Sequence, residues 1–298
     1  MLSQGSTLMV ISDKPGNWDQ YPYSCWGMKN IRRKMEDRSS VFPTLAAILP
    51  NKKDVVAEDG LFAVFDGHNG SECASYASVH FPTCFVEVED FKHKKMEEIM
   101  TEAFAKLTKR LDVRIENEFQ INYKSGSTAL CAHISNHKKL CIGWCGDSTA
   151  AMMYSTSVEL LNKSHVPDDP EEAKRVEDSG GFLLVVNGEL RVDGILNITR
   201  SLGDISAGSA ISSIPSVLTR DLDGTEYLLI LGSDGLYDAF DGDSIFSYVK
   251  KFVQKNSPKE YRELSRKASD EGSHDNITAI CVFLRPVEDL WTLFSSTK

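Results

Sequence analysis

The chain has 298 residues, 41% hydrophobic and 26% charged, and a formal net charge of −10. That composition supports a globular protein with a substantial core. The acidic balance argues against nucleic acid as a partner, because phosphate-backbone binding needs clustered Lys and Arg. No apolar run approaches the ~18 residues of a membrane span, so no membrane insertion is expected.

In chain order, residues 1–20 are mixed and aperiodic and are read as irregular; 1–21 form an N-terminal extension. Its start lacks a basic region followed by an apolar stretch, so no signal peptide is expected. Short strand-like runs bounded by Gly, Asp or Asn then recur at 23–27, 39–42, 61–65, 128–134, 140–145 and 150–154. Others follow at 182–186, 195–199, 227–231 and 277–284. Leu140 to Cys145 is apolar on both parities, which predicts a strand covered on both faces. A helix is expected after Gly70, through Tyr76 to His80. Met96, Ile99, Met100, Ala103, Phe104, Leu107, Leu111, Ile115 and Phe119 step by three and four and describe one long amphipathic helix. Asp169-Pro170-Glu171-Glu172 and Ser257-Pro258-Lys259-Glu260 read as capped helix starts. Asp243 to Lys255 is a further helix.

Neighbouring strands joined by short turns are antiparallel grammar. The expected fold class is α+β: a central β-sandwich of two mainly antiparallel sheets flanked by helices, over one domain at 22–285, with 286–298 as a C-terminal tail. Seven cysteines are scattered, several in apolar runs, with no C-x-x-C pair. Reduced thiols in an intracellular, cytoplasmic protein are the simplest reading.

The chemistry lies in acids at strand ends. Asp66 ends Leu61–Phe65 and precedes Gly67-His68. Asp234 ends a run from Tyr227 and precedes Gly235. Asp275-Asn276 precedes the run from Ile277, and Glu36-Asp37 follows the basic stretch Arg32-Arg33-Lys34. Alone, each has a bland reading: a solvated charge run, a helix cap, a turn. As an ordered series they suit hard oxygen ligation of a divalent cation gathered from distant segments. An Arg at 32 or 33 suits phosphate oxygens. His68, in a turn, suits a proton donor. No zinc motif, P-loop, Gly-x-Ser-x-Gly elbow or Cys-based phosphatase loop competes.

The series resembles the metal-dependent serine/threonine protein phosphatases of the 2C (PPM) family. The matching motifs occur in family order: Arg-Arg-Lys-Met-Glu-Asp at 32–37, Phe-Ala-Val-Phe-Asp-Gly-His at 62–68, Ser-Gly-Ser-Thr-Ala at 125–129 and Gly-Asp-Ser at 146–148. Gly180-Gly181, Thr-Arg-Ser-Leu-Gly-Asp at 199–204, Ser-Asp-Gly-Leu-Tyr-Asp at 233–238 and Asp-Asn-Ile-Thr at 275–278 follow. Within the family the chain looks most like the calmodulin-kinase phosphatase subgroup, which includes partners of PIX exchange factors.

The resemblance implies the αββα sandwich and two Mg²⁺ or Mn²⁺ ions that activate a water, with no phosphoenzyme. By position, Asp66 bridges both ions, Gly67 offers its carbonyl, Asp234 and Asp275 ligate directly, and Glu36 and Asp37 act largely through water. Asp147 with Asp234 suits a more weakly held third ion. Arg32 aligns with the phosphate-binding arginine and His68 with the general acid, so Arg32, Asp66 and His68 form the catalytic set. Residues from about Val166 to Arg191 correspond to a flap that shapes substrate access. The implied partners are phosphoprotein substrates, acted on by a monomeric catalytic domain. Asn69 stands where Gly is common, Thr149 where Arg is, and Tyr237 where Trp is. A non-catalytic scaffold of the same fold would have lost ligand acids; here each is present.

Overall fold

Side-chain alternation along the strands decides the layers. On Leu61–Phe65, Phe62 and Val64 join Leu130, Ala132, Ile142, Leu229, Leu231 and Ile280 in an interior cluster. Leu61, Ala63 and Phe65 point the other way, onto Phe81, Phe85, Met100 and Phe104. A strand buried on both faces needs a sheet on one side and helices on the other, and the computed structural model has both. It describes residues 7–9, 20–48, 58–119, 123–268 and 273–295.

The first sheet runs β1 (Thr7–Met9), β3 (Arg38–Phe42), β4 (Asp59–Phe65), β7 (Ala129–Ser135), β8 (Lys139–Cys145), β14 (Ser216–Asp221). The second runs β10 (Val158–Leu160), β9 (Thr149–Met153), β15 (Leu228–Gly232), β16 (Ile277–Phe283), β2 (Tyr23–Met28). Pairing is antiparallel throughout both, except that β1 lies parallel to β3. Helices α1 (Glu72–Val86) and α2 (Met96–Arg114) cover the first sheet; a π-helical turn over Ile115–Phe119 extends α2 as the periodicity predicts. Helices α4 (Asp234–Tyr237), α5 (Gly242–Lys255), α6 (Leu264–Ala268) and α7 (Val287–Ser295) cover the second. This is the expected α+β sandwich.

Four local expectations are corrected. Residues 7–9, read as irregular, form β1. Ser216–Asp221 is an edge strand that its mixed, half-exposed side chains concealed. Residues 195–199 are not a strand: Asp193 and Gly194 turn the chain at φ +50° and +71°, and the backbone that follows bonds to several segments instead of one. Leu196 and Ile198 pack instead with Val176, Val192, Ala210 and Ile211 in a small separate cluster. Finally, within the stretch read as a tail, Val287–Ser295 forms α7 and packs into the second core. Val287, Leu290, Trp291 and Phe294 of α7 are buried there.

Trp291 is 7% exposed, meets Phe252 edge-on at 6.2 Å and donates its indole N–H to the Asn256 carbonyl at 2.7 Å. Trp291→Ala should therefore cost about 3–5 kcal/mol in urea unfolding. A loss below about 1 kcal/mol would show α7 to be an ornament on a core that does without it.

Candidate active site

Strand register carries the acids to one edge. Arg38 pairs with Phe65, Val64 with Leu130, and Ala129 with Cys145. The residue before β3 (Asp37), the residue after β4 (Asp66) and the loop after β8 (Asp147) therefore share an end of the first sheet. In the second sheet Gly232 pairs with Thr149 and with Ala279, so Asp234 and Asp275 leave from the matching end. Antiparallel pairing alone thus gathers segments up to about 240 residues apart.

The carboxylates crowd without matching cations. Asp37 is 1% exposed; its Oδ2 accepts from the Thr278 hydroxyl at 2.8 Å, while Oδ1 has no hydrogen-bond partner. Burial above all, then Asp234, pushes Asp37 up to about 7 against hydrogen bonds that oppose the shift. Burial and then Asp37, Asp234 and Asp147 hold Asp66 well above the carboxylate range. Burial and then Asp234 push Asp147 up to about 7. Arg38 donates to the Met35 and Asp37 carbonyls at 2.9 and 2.7 Å, not to a carboxylate. Among the described residues no three His, Cys, Asp or Glu side chains are closed around one point. The acids act on one another through charge: Asp234 bears on Asp37, Asp66 and Asp147, and Asp37 and Asp147 bear on Asp66. Uncompensated hard oxygens with an orphaned buried oxygen among them fit a divalent cation.

Asp66 is held from below. Its N–H donates to Thr128 Oγ1 at 3.1 Å, Thr128 N–H donates to the Asp66 carbonyl at 2.8 Å, and Thr128 Oγ1 meets Ser148 Oγ at 2.7 Å. A Cβ on Gly67 would lie 2.5 Å from the Glu36 carbonyl oxygen, so glycine there lets the two segments touch backbone to backbone. The half-buried Glu36 is tied through its N–H, which donates to Asn276 Oδ1 at 2.7 Å. Arg32, with 60% of its side chain exposed, pairs with Asp275 at the mouth of the cluster. Arg33 is exposed beside it.

The three departures from the family pattern fit locally. Asn69 sits at φ +55°, a left-handed conformation that Asn tolerates best after Gly. The Thr149 hydroxyl donates to the Asp147 carbonyl at 3.1 Å. The Tyr237 hydroxyl donates to the Ile230 carbonyl at 3.3 Å.

Sequence reading missed three contributors. Asn276 uses its amide to donate to the Lys29 and Lys34 carbonyls at 2.9 and 3.0 Å, pinning the loop that carries Arg32 and Glu36. Asp238, one turn after Asp234, is a further acid; burial and then Asp234 and Asp275 raise it. Asp204 reaches His68, with Oδ2 2.7 Å from Nε2. All three lie inside motifs quoted above, but only the folded chain shows what they face.

The stretch expected to serve as a flap holds α3 (Pro170–Asp178) and the hairpin of β11 (Leu183–Val186) and β12 (Glu189–Val192). It is anchored by Glu172, which accepts from Arg200, from Arg175 Nε at 3.1 Å and from the Thr199 hydroxyl at 2.6 Å. Burial would raise this carboxyl, yet those hydrogen bonds and charges win and bring it down to about 2.

The profile of the protein phosphatase 2C family matches residues 23–277. This chain belongs to the protein phosphatase 2C family. It is 35% identical over 294 residues to protein phosphatase fem-2 of Caenorhabditis elegans, covering 96% of this chain and 63% of that protein. It is 35% identical over 268 residues to mouse protein phosphatase 1E, covering 89% of this chain and 35% of that protein. The chain thus spans under two thirds of these relatives' lengths. The solved structure of a C. elegans sex-determining protein superposes with a TM-score of 0.87 at 34% identity, covering 94% of this chain and 68% of that one. A Toxoplasma gondii serine-threonine phosphatase 2C shares the fold, with a TM-score of 0.69 at 20% identity over 91% of this chain and 96% of that one.

The raised acids have a stability consequence. Asp37 titrates at about 7 when folded against an ordinary 3.8. Below its ordinary value it is neutral in both states; as pH rises towards and through the folded value, the folded carboxylate costs stability. In EDTA, Asp37→Asn should therefore melt a few degrees above the unsubstituted protein near about pH 8, and this gap should close towards about pH 3.5. A variant that melts lower at the higher pH contradicts the crowding.

Proposed function

We propose that this chain is a Mg²⁺- or Mn²⁺-dependent protein serine/threonine phosphatase acting on phosphoserine and phosphothreonine. The observation that carries this reading is the convergence of Asp37, Asp66, Asp147 and Asp234 without balancing cations, beside Arg32 and His68. Asp66, Asp234 and Asp275 would hold two ions directly, with the Gly67 carbonyl, while Glu36 and Asp37 would support them through water. Asp147, with Asp234, would take a weaker third. When bound, such ions neutralise phosphoryl oxygens and lower the pKa of a water.

The rest falls to the chain. Arg32 exchanges its Asp275 partner for the non-bridging phosphate oxygens, which its planar fork matches. Water oxygen bonds to phosphorus as the bond to the serine or threonine oxygen breaks, and that oxygen departs with the electron pair. His68 supplies the proton it needs. No Cys or Ser stands in a nucleophile motif, so no phosphoenzyme enters. Family membership and the fem-2 and 1E relatives support this reading. The substrates are phosphoproteins. Among the described residues no helix is long and apolar enough to cross a membrane.

Phosphate release from a phosphothreonine peptide tests it. Activity should vanish after exhaustive chelation and return with Mn²⁺ or Mg²⁺; full turnover by metal-free protein overturns the proposal. Arg32→Ala should raise KM by ~10- to 100-fold, the worth of a charged hydrogen-bond pair. The same change at Arg33 should do much less, and an equal loss there would transfer the phosphate to Arg33. His68→Gln should cost ~10²–10⁴-fold on the peptide and far less on p-nitrophenyl phosphate, whose leaving group hardly needs a proton. Equal losses on both substrates remove His68 as the donor.

A further inference from the structure

We propose that Asp204 is a positioning residue for His68, an orienting carboxylate that acts on the reaction only through the imidazole. The inference rests on the phosphatase reading of the site, in which His68 faces the leaving group.

The pairing is built by the fold. Strand β5 (Gly67–His68) pairs with β6 (Gly126–Ser127), and β6 pairs with β13 (Leu202–Gly203), in a three-stranded sheet separate from the sandwich. This small sheet brings together His68 and Asp204, 136 residues apart. Gly126 lies between them. A Cβ there would fall 2.1 Å from Asp204 Oδ2 and 2.2 Å from His68 Nε2, so any larger residue would wedge the pair apart. Asp204 is 5% exposed, and its Oδ2 also accepts from the Ser201 hydroxyl at 2.5 Å. Its backbone adopts φ +49°, a left-handed conformation that costs a non-glycine residue energy and persists where the surroundings enforce it.

The consequence is geometric. To give a proton the ring must carry hydrogen on both nitrogens: Nε2–H donates to the buried carboxylate, Nδ1–H is left for the leaving oxygen, and the neutral ring that remains keeps its hydrogen on Nε2. A quarter-exposed imidazole would otherwise rotate about two side-chain bonds; the carboxylate fixes one orientation and one tautomer. This is the logic by which a carboxylate holds the histidine of a hydrolytic triad, here serving proton donation to a leaving alkoxide.

The test is a double-mutant cycle on two substrates. Asp204→Asn suits it, because Asn accepts the left-handed backbone and keeps the size while replacing the accepting oxygen pair by an amide. It should lose ~10- to 100-fold on a phosphothreonine peptide, show little change on p-nitrophenyl phosphate, and add no further loss in a His68→Gln background. Equal losses on both substrates, or a loss that multiplies that of His68→Gln, overturn the inference and make Asp204 a structural residue. The donor reading fails separately, by His68→Gln alone losing equally on both substrates; additivity in the double variant then decides Asp204 by itself. Should Asp204→Asn fail to fold, Ser201→Ala leaves that backbone untouched and loosens the carboxylate. A loss confined to the peptide and absent with His68→Gln supports positioning; an additive loss overturns it.

Discussion

Repulsion among crowded carboxylates, one buried (Asp37) and three half-buried (Asp66, Asp147 and Asp234), is the interaction around which the rest of this structure is arranged. Asp37, Asp66, Asp147 and Asp234 are held close enough that burial and mutual charge drive three of them far from their ordinary titration. Left to themselves such groups would separate into water. They stay because each is fixed to the end of a strand whose register is set elsewhere, by apolar pairing along the sheets. The sandwich interior is therefore what allows so concentrated a negative cluster at its edge.

That division needs stiff sheets, and three cores supply the stiffness. One lies between the sheets, one under α1 and α2, and one under α5, α6 and α7. The central strands β4, β7, β8, β15 and β16 are buried nearly end to end. Close packing of this kind transmits displacement instead of absorbing it. A strand cannot slip without moving its terminal acid. The same argument gives α7 a functional bearing, since its aromatic face closes the core behind β15 and β16, which deliver Asp234 and Asp275.

Polar tethers finish what packing begins. Asn276 bonds to three backbone groups of the loop over 29–36, and so sets where Arg32 stands relative to Asp275. Thr128 and Ser148 tie Asp66 to the loops beside it. Glu172 fastens the flap to the chain that runs on to Asp204. The hairpin beyond that anchor leaves Phe182, Leu184 and Val185 exposed at 54%, 47% and 70%, on both of its faces.

Much was legible in the sequence because it is local. Period-three-to-four hydrophobicity marks α2 through Phe119, doubly apolar runs mark strands covered on both faces, and capping signals mark α3 and the turn at Pro258. Acids at strand ends named Asp66, Asp234 and Asp275 because a carboxylate closing an apolar run has no packing reason to be there. Edge strand β14, the broken segment at 195–199 and the packed α7 escaped, since edges, turns and docking depend on partners that no short window contains. The same limit governs the site. The sequence named candidate side chains for a cation and a phosphate. Only the tertiary structure decided that Asp37 carries an unpartnered oxygen, that Arg32 leans on Asp275, and that Asp204 meets His68 across Gly126. Those relations span from 136 to 243 residues of chain and are fixed by register and close approach, which a linear pattern does not encode.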